Sequence, residues 1–348
     1  MLAITLADLR FRARQFLIAI VGAALALSLA LVLSGLQNGF HAEIADTVNA
    51  VNADSWVMAN GASGRLTAFA PFSETAAATL RAQPGVRAVG PILLLPASIV
   101  VFQGKDTTSN LMGVVPGRLG SPVPVAGHAL SGPNQVVADS KLNLPIGSRI
   151  TVSKRPFTVV GTVDDRTLLA GTPMIYMSLR DSQLIAVGGL PLVTAIALTG
   201  HASSLPHGLS QYSPEQVISQ TEAQMSSAAQ SIGSVGLLMW VVAAVIIAAL
   251  LYVAALERAR DFAVLKAIGT STVSLSASVA LEAVFVTLVA AFAAEILAQL
   301  LAPTFSQRVA IPVVAYFTLP LIAVIVGLIA SLVAVRGVIR ADPASAFG

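Results

Sequence analysis

The chain has 348 residues, 55% hydrophobic and 11% charged, with a mean hydropathy of +0.82. A soluble globule carries about 25% charged residues, so the composition excludes one and requires membrane spans. The net charge of +3 does not indicate a nucleic-acid partner, because the excess cations sit beside apolar runs without an aromatic-interleaved basic face. With no cysteine, neither disulfides nor thiolate metal sites can hold any part of the chain.

In residues 1–15, Leu2, Leu6 and Leu9 recur at helical spacing opposite Arg10 and Arg14, which predicts an amphipathic helix on the cytoplasmic surface. Residues 16–36 are an uncharged run of transmembrane length, about 20 residues being needed to cross. The run is longer than a signal-peptide core and no A-x-A site directly follows it, so it reads as a retained span. Gly22, Ala26, Ala30 and Ser34 form a small-residue stripe along it, suited to close helix approach. Phe40, Ile44, Val48 and Val51 then continue at three- and four-residue steps among polar residues, predicting that the helix extends into water as a stalk over 37–52.

Residues 53–212 have ordinary polarity and Pro/Gly punctuation and predict an α+β domain. Its expected strands are 56–58, 86–89, 92–102, 111–115, 149–152, 157–163, 174–177 and 193–198, with a helix over 73–83 and a hairpin turn over 153–156. A second stalk is expected over 213–231, opened by Ser213, Pro214 and Gln216 as N-cap, first-turn proline and capping-box partner. Ile218, Thr221, Met225, Ala228 and Ile232 alternate steps of three and four, the period of a packed helix pair, so Phe40, Ile44 and Val48 are expected to pack with Ile218 and Met225. Taken with the second span, 232–256, this predicts one helix over 214–256 of about 64 Å, roughly twice the hydrocarbon thickness.

A loop over 257–272, a third span over 273–294 interrupted by Glu282, an outer loop over 295–312, a fourth span over 313–335 and a tail over 336–348 complete the chain. Arg10, Arg12, Arg14, Arg258, Arg260, Lys266, Arg336 and Arg340 flank the spans, whereas residues 37–231 carry equal numbers of cations and anions. By the positive-inside rule both termini and the 257–272 loop are cytoplasmic and the α+β domain is extracytoplasmic. Glu282 must face the bundle or pair near the interface, since a lipid-facing carboxylate costs about 2.5 kcal/mol or more.

The 257–272 loop alternates charge around an apolar set: Phe262, Leu265 and Ile268 share one face of a short helix ended by Gly269, with Thr270 or Ser271 able to cap the next helix. Such a short helix suits a partner's groove. Arg258, Arg260, Asp261, Val264, Leu265, Lys266, Ala267 and Gly269, in that order, resemble the coupling loop of the FtsX/MacB-like permeases of type VII ABC transporters. Ala53, Asp54, Trp56 and Val57, then Pro84, Gly85 and Val86, residues 136–140 and 158–162, and the closing Arg340, Ala341, Asp342, Pro343, Ala344 and Ala346 are similar to further phrases of that family.

The resemblance implies a four-span bacterial cytoplasmic-membrane permease acting as a homo- or heterodimer. It also implies two copies of an ATPase partner on the coupling loops, and an extracytoplasmic adaptor as a further candidate partner. No G-x-x-x-x-G-K-[ST] occurs, Gly104 and Lys105 lacking its other residues, so ATP and Mg belong to a separate ATPase and this chain binds no cofactor. Gly61, Ala62, Ser63 and Gly64 fall short of a nucleophile elbow; His41, His128, His201 and His207 lack metal-ligand spacing; Asp164 and Asp165 read as a solvated turn. The alternative is a membrane-anchored extracytoplasmic binding or sensing protein without transport, which leaves the patterned loop unexplained.

Overall fold

The computed structural model describes residues 13–257, 264, 271–305 and 307–340. Residues 1–12 of the predicted amphipathic helix over 1–15, and residues 341–348 of the tail, lie outside them, and residues 13–15 open the first long helix. The chain divides into two compact units, a membrane unit of residues up to Asn38 with those from Ala229 onward, and an α/β unit, Gly39–Ala228. Helix α1 (Ala13–Asn49) runs without interruption past residue 36 and contributes its last turns to the α/β unit.

The α/β unit is built on β1 (Ser55–Ala59), β2 (Phe72–Ser73), α2 (Thr75–Arg81), β3 (Val86–Phe102), β4 (Lys105–Val114), β5 (Ala126–Gly127), β6 (Gln135–Asp139), β7 (Arg149–Val152), β8 (Arg155–Val163), β9 (Thr167–Leu168), β10 (Thr172–Ser178), α3 (Leu179–Ala186), β11 (Leu192–Val193), β12 (Ala195–Gly200), β13 (Leu209–Tyr212) and α4 (Pro214–Ala223). The strands at 86–89 and 92–102, expected separately, are one 17-residue strand. Gly90 and Pro91, which read locally as an end, stay paired with Ala197 and Ile196 of β12, and the strand's irregularity falls instead between Leu95 and Ser98, where the register shifts and Ala97 takes φ 54.

The main sheet runs β13-β1-β12-β3-β4-β10-β6-β8-β5, and β7 pairs with both β3 and β8. The pairings β3-β4-β10-β6-β8-β7-β3 therefore close a ring, filled by Val100, Leu111, Ile150, Phe157, Val159 and Ile175. Closure removes exposed edges from that part of the sheet. Two of its hairpins turn over on residue pairs with positive φ, Gln103–Gly104 and Ser153–Lys154, the sense that matches strand twist.

The remaining helices belong chiefly to the membrane unit: α5 (Ser226–Glu257), α6 (Thr272–Leu301) and α7 (Val313–Arg340). Among the described residues, four helices are long and apolar enough to cross a membrane, the segments being Ile20–Asn49, Ser226–Ala249, Ser276–Thr304 and Val313–Leu332. Ser271 caps α6, its Oγ accepting the Ser274 N–H at 3.2 Å. Helix α6 continues to Leu301, beyond residue 294 where an outer loop was expected, because one carboxylate, Glu295, does not stop a run of helix formers; the 3₁₀ turn Ala302–Thr304, holding Pro303, comes next. The loop after that turn is tied to α1: Ala310 N–H donates to the Gly35 carbonyl at 2.9 Å and Asn38 Nδ2 to the Ala310 carbonyl at 2.9 Å.

The predicted helix over 214–256 is not continuous. Helix α4 ends at Ala223 and α5 starts at Ser226, with the Gln224 and Met225 N–H groups bonding back three residues, to Thr221 and Glu222. Thr221 Oγ1 donates to the Val217 carbonyl at 2.6 Å, a back-bond that bends helices, and Gln224 is held by Thr67. Side-chain ties thus override the helical periodicity.

Candidate functional site

The last turns of α1 are part of the α/β core. Phe40, Ile44 and Val48 are buried, and Ile44, Val48 and Val51 join one cluster with Trp56, Met58, Met174, Val217 and Ile218. The four-residue steps of the sequence thus mark a docked face rather than the seam of a free two-helix stalk. Met225 is half-buried in the interruption between α4 and α5 and lies outside that cluster.

Polar contacts fix this face. Glu43, 2% exposed, accepts the Gly171 N–H at 3.0 Å; Thr47 Oγ1 donates to the Thr167 carbonyl at 3.1 Å; Arg166 Nη1 donates to the Asp46 carbonyl at 3.2 Å. All three reach the segment 166–171, where Leu169, Ala170 and Gly171 take positive φ in succession. The end of α4 is held similarly: Thr221 Oγ1 accepts the Leu66 N–H at 3.0 Å, Gln224 Oε1 accepts from Thr67 Oγ1, and Glu222 hydrogen-bonds His41 of α1. Each neutral bond contributes about 1 kcal/mol, but an unpartnered buried carboxylate would cost more.

Behind the 166–171 segment, Asp139 is fully buried, accepting the Lys141 N–H at 3.0 Å and the Arg166 N–H at 2.6 Å. Burial raises its pKa above the ordinary carboxylate value, against the lowering effect of those hydrogen bonds. Burial likewise pushes the Tyr176 hydroxyl up to about 12. Asp164 and Asp165 are exposed, Asp165 pairing with Lys141 at 3.3 Å. Among the described residues no cluster of His, Asp and Glu could hold a metal ion.

In the membrane unit Glu282 is 2% exposed, inside the bundle with Val279, Ala283 and Val286 nearby on α6. Glu295, expected in the outer loop, lies in α6; its Oε1 is buried and has no hydrogen-bond partner among the described residues. Of the residues expected to form the coupling loop, Arg258, Arg260, Asp261, Phe262, Leu265, Lys266, Ile268 and Gly269 lie outside the described residues, and Val264 is exposed.

Residues 16–199 match the family described as MacB-like periplasmic core domain, and residues 233–343 the FtsX-like permease C-terminal family. An uncharacterized ABC transporter permease of Mycobacterium tuberculosis is 36% identical over 349 residues, covering 100% of this chain and 99% of that protein. One from Mycobacterium bovis is 37% identical with the same coverage. Among solved structures, the periplasmic region of MacB from Actinobacillus actinomycetemcomitans aligns with 51% of this chain and 97% of its own, at 17% identity and a TM-score of 0.37. The extracellular domain of the ABC-type transporter YknZ from Gram-positive bacteria covers 39% of this chain and 76% of its own, at 16% identity and a TM-score of 0.32.

A fold of four membrane helices with a large α/β insertion between the first two, matched along nearly its whole length, defines a multi-pass ABC transporter permease with an extracytoplasmic domain. The chain belongs to the FtsX/MacB-type ABC transporter permease family.

Proposed function

We propose that this permease transmits the ATP-driven motion of a separate ATPase to its extracytoplasmic domain, for export, extraction or mechanical signalling on the far side. Both termini and the 257–272 loop are cytoplasmic in this reading. Two permease copies, or two related chains, engage two ATPase copies through Phe262, Leu265 and Lys266. ATP and Mg stay on the partner, and Glu282 serves the packing of the bundle. One observation supports the reading above the others. The end of α1 is built into the α/β core, with Ile44 and Val48 each 1% exposed and Glu43 and Thr47 bonded to the 166–171 segment. A displacement of these turns must move that segment, because close-packed cores transmit strain.

The test uses the full chain coexpressed with a candidate soluble ABC ATPase from the same organism. Leu265→Asp is expected to abolish copurification of the ATPase and stimulation of its turnover, while the permease still folds and inserts. Unchanged capture and stimulation would instead favour a membrane-anchored binding or sensing protein, to which this loop is irrelevant. ATP hydrolysis by the purified permease alone would contradict the reading outright.

A further inference from the structure

Beside the end of α1, the α/β unit holds a cleft of about 750 Å³. Its walls carry Arg81 from the last turn of α2, Arg118 from the loop after β4 and Arg166 from the turn after β8, and its apolar lining includes Val51, Val89 and Val123. Among the described residues no Asp or Glu lines it. Among the described residues neither Arg81 nor Arg118 forms an ion pair, whereas nearby Arg87 is paired with Asp54 at 2.9 Å. A concavity lined by one sign of charge raises the local concentration of counter-ions.

The cationic wall is preorganised. Arg118 lies in consecutive turns, its N–H donating to the Val115 carbonyl at 3.1 Å and its carbonyl accepting the Ser121 N–H at 2.9 Å. The next residue, Leu119, rests on β3 at Gly90, where a Cβ would collide with the Leu119 carbonyl, so only glycine admits the loop. Arg166 is oriented by its bond to the Asp46 carbonyl. Tyr176, 4% exposed, also lines the cleft, and its hydroxyl can donate because it stays neutral.

Guanidinium groups bind phosphate through paired N–H donors. An inorganic anion would leave most of a 750 Å³ cleft empty, and Val123, 87% exposed at the rim, offers an apolar surface beside the charge. We propose that this cleft binds a phosphate-bearing amphiphile, the phosphate on Arg81, Arg118 and Arg166 and the apolar part on Val51, Val89 and Val123. The ligand comes either from the membrane, as an anionic phospholipid, or from solution, as a free phosphoester. This binding is independent of ATPase coupling and can fail or hold separately from it.

Calorimetry on the full chain in detergent tests it with three probes: dihexanoyl phosphatidic acid, dihexanoyl phosphatidylcholine and inorganic phosphate. Phosphatidic acid is expected to bind, and the zwitterionic lipid to bind at least about tenfold more weakly. The exposed pair Arg81→Gln with Arg118→Gln is expected to lower phosphatidic acid affinity about tenfold or more, the loss of two charge-assisted contacts. Arg149→Gln with Lys154→Gln, on the rim of the strand ring, should change it less than about twofold. Inorganic phosphate binding as well as the lipid, and lost in the Arg81/Arg118 variant, would support the cationic site with a soluble phosphoester as its source. Absence of phosphatidic acid binding, or equal losses in both double variants, would overturn the proposal.

Discussion

The two units fill their interiors with different mixtures of large and small side chains. In the α/β unit the fully buried positions include many large side chains, Trp56, Met58, Leu93, Leu94, Leu111 and Phe157 among them, beside a few alanines such as Ala138 and Ala197. In the membrane unit many are alanines, among them Ala23, Ala24, Ala283, Ala290, Ala291, Ala294 and Ala298, while Phe292, Phe317 and Leu237 are more than 60% exposed. Water rewards burying large apolar groups at about 25 cal/mol per Å². Lipid gives no such reward, so its helices associate through small residues that let backbones approach. The same apolar alphabet is therefore used with a stronger share of small residues at the packed faces of the membrane unit than in the core of the α/β unit.

The largest test of this contrast sets Trp56→Ala against Phe292→Ala. The first should destabilise the α/β unit by about 3–5 kcal/mol, read as early proteolysis of that unit in detergent. The second should leave the melting of the membrane unit nearly unchanged, and an equal loss would break the comparison. Next comes Gly327→Val in α7, whose Cβ would lie 2.6 Å from Thr287 Cγ2 on α6. Overpacking of this kind costs about 1–3 kcal/mol. A lowered melting temperature of the membrane unit is expected, with Gly327→Ala intermediate. No change would mean that close approach of α6 and α7 is dispensable.

The smallest effect is confined to alkali. Tyr176 ionises at about 12 in the fold against an ordinary 10.0. The unfolded chain thus loses this proton first, so the contribution is intact below pH 10 and is lost as pH rises through 12. Absorbance titration should show one late tyrosine, absent in Tyr176→Phe, which also flattens the alkaline loss of stability. A tyrosine set titrating together near 10 would show that the cleft floor is wet.

Periodicity made the docked face of α1 legible, because Phe40, Ile44 and Val48 recur at the pitch of a helix. Glu43 and Thr47 were not, since polar residues on an amphipathic helix read as water-facing, and only Gly171 and Thr167, distant in sequence, turn them into buried contacts. The same holds for Met225, where a helical period ran on through residues that side-chain ties bend into a turn. Arg81, Arg118 and Arg166 are unremarkable singly and form a site because three separated segments meet.

The order of the chain by itself determined what depends on neighbouring residues and on the choice of solvent. It set four apolar runs of bilayer length, a polar α+β insertion after the first, the cap at Ser213 and a cap at Thr270 or Ser271. Tertiary structure alone decided the closed ring of strands, the interruption at Gln224–Met225, the burial of Glu43 and Asp139 and the arginine cleft. Each of these rests on contacts between distant segments, and such contacts are selected by the packing energy of the whole unit rather than by any local pattern.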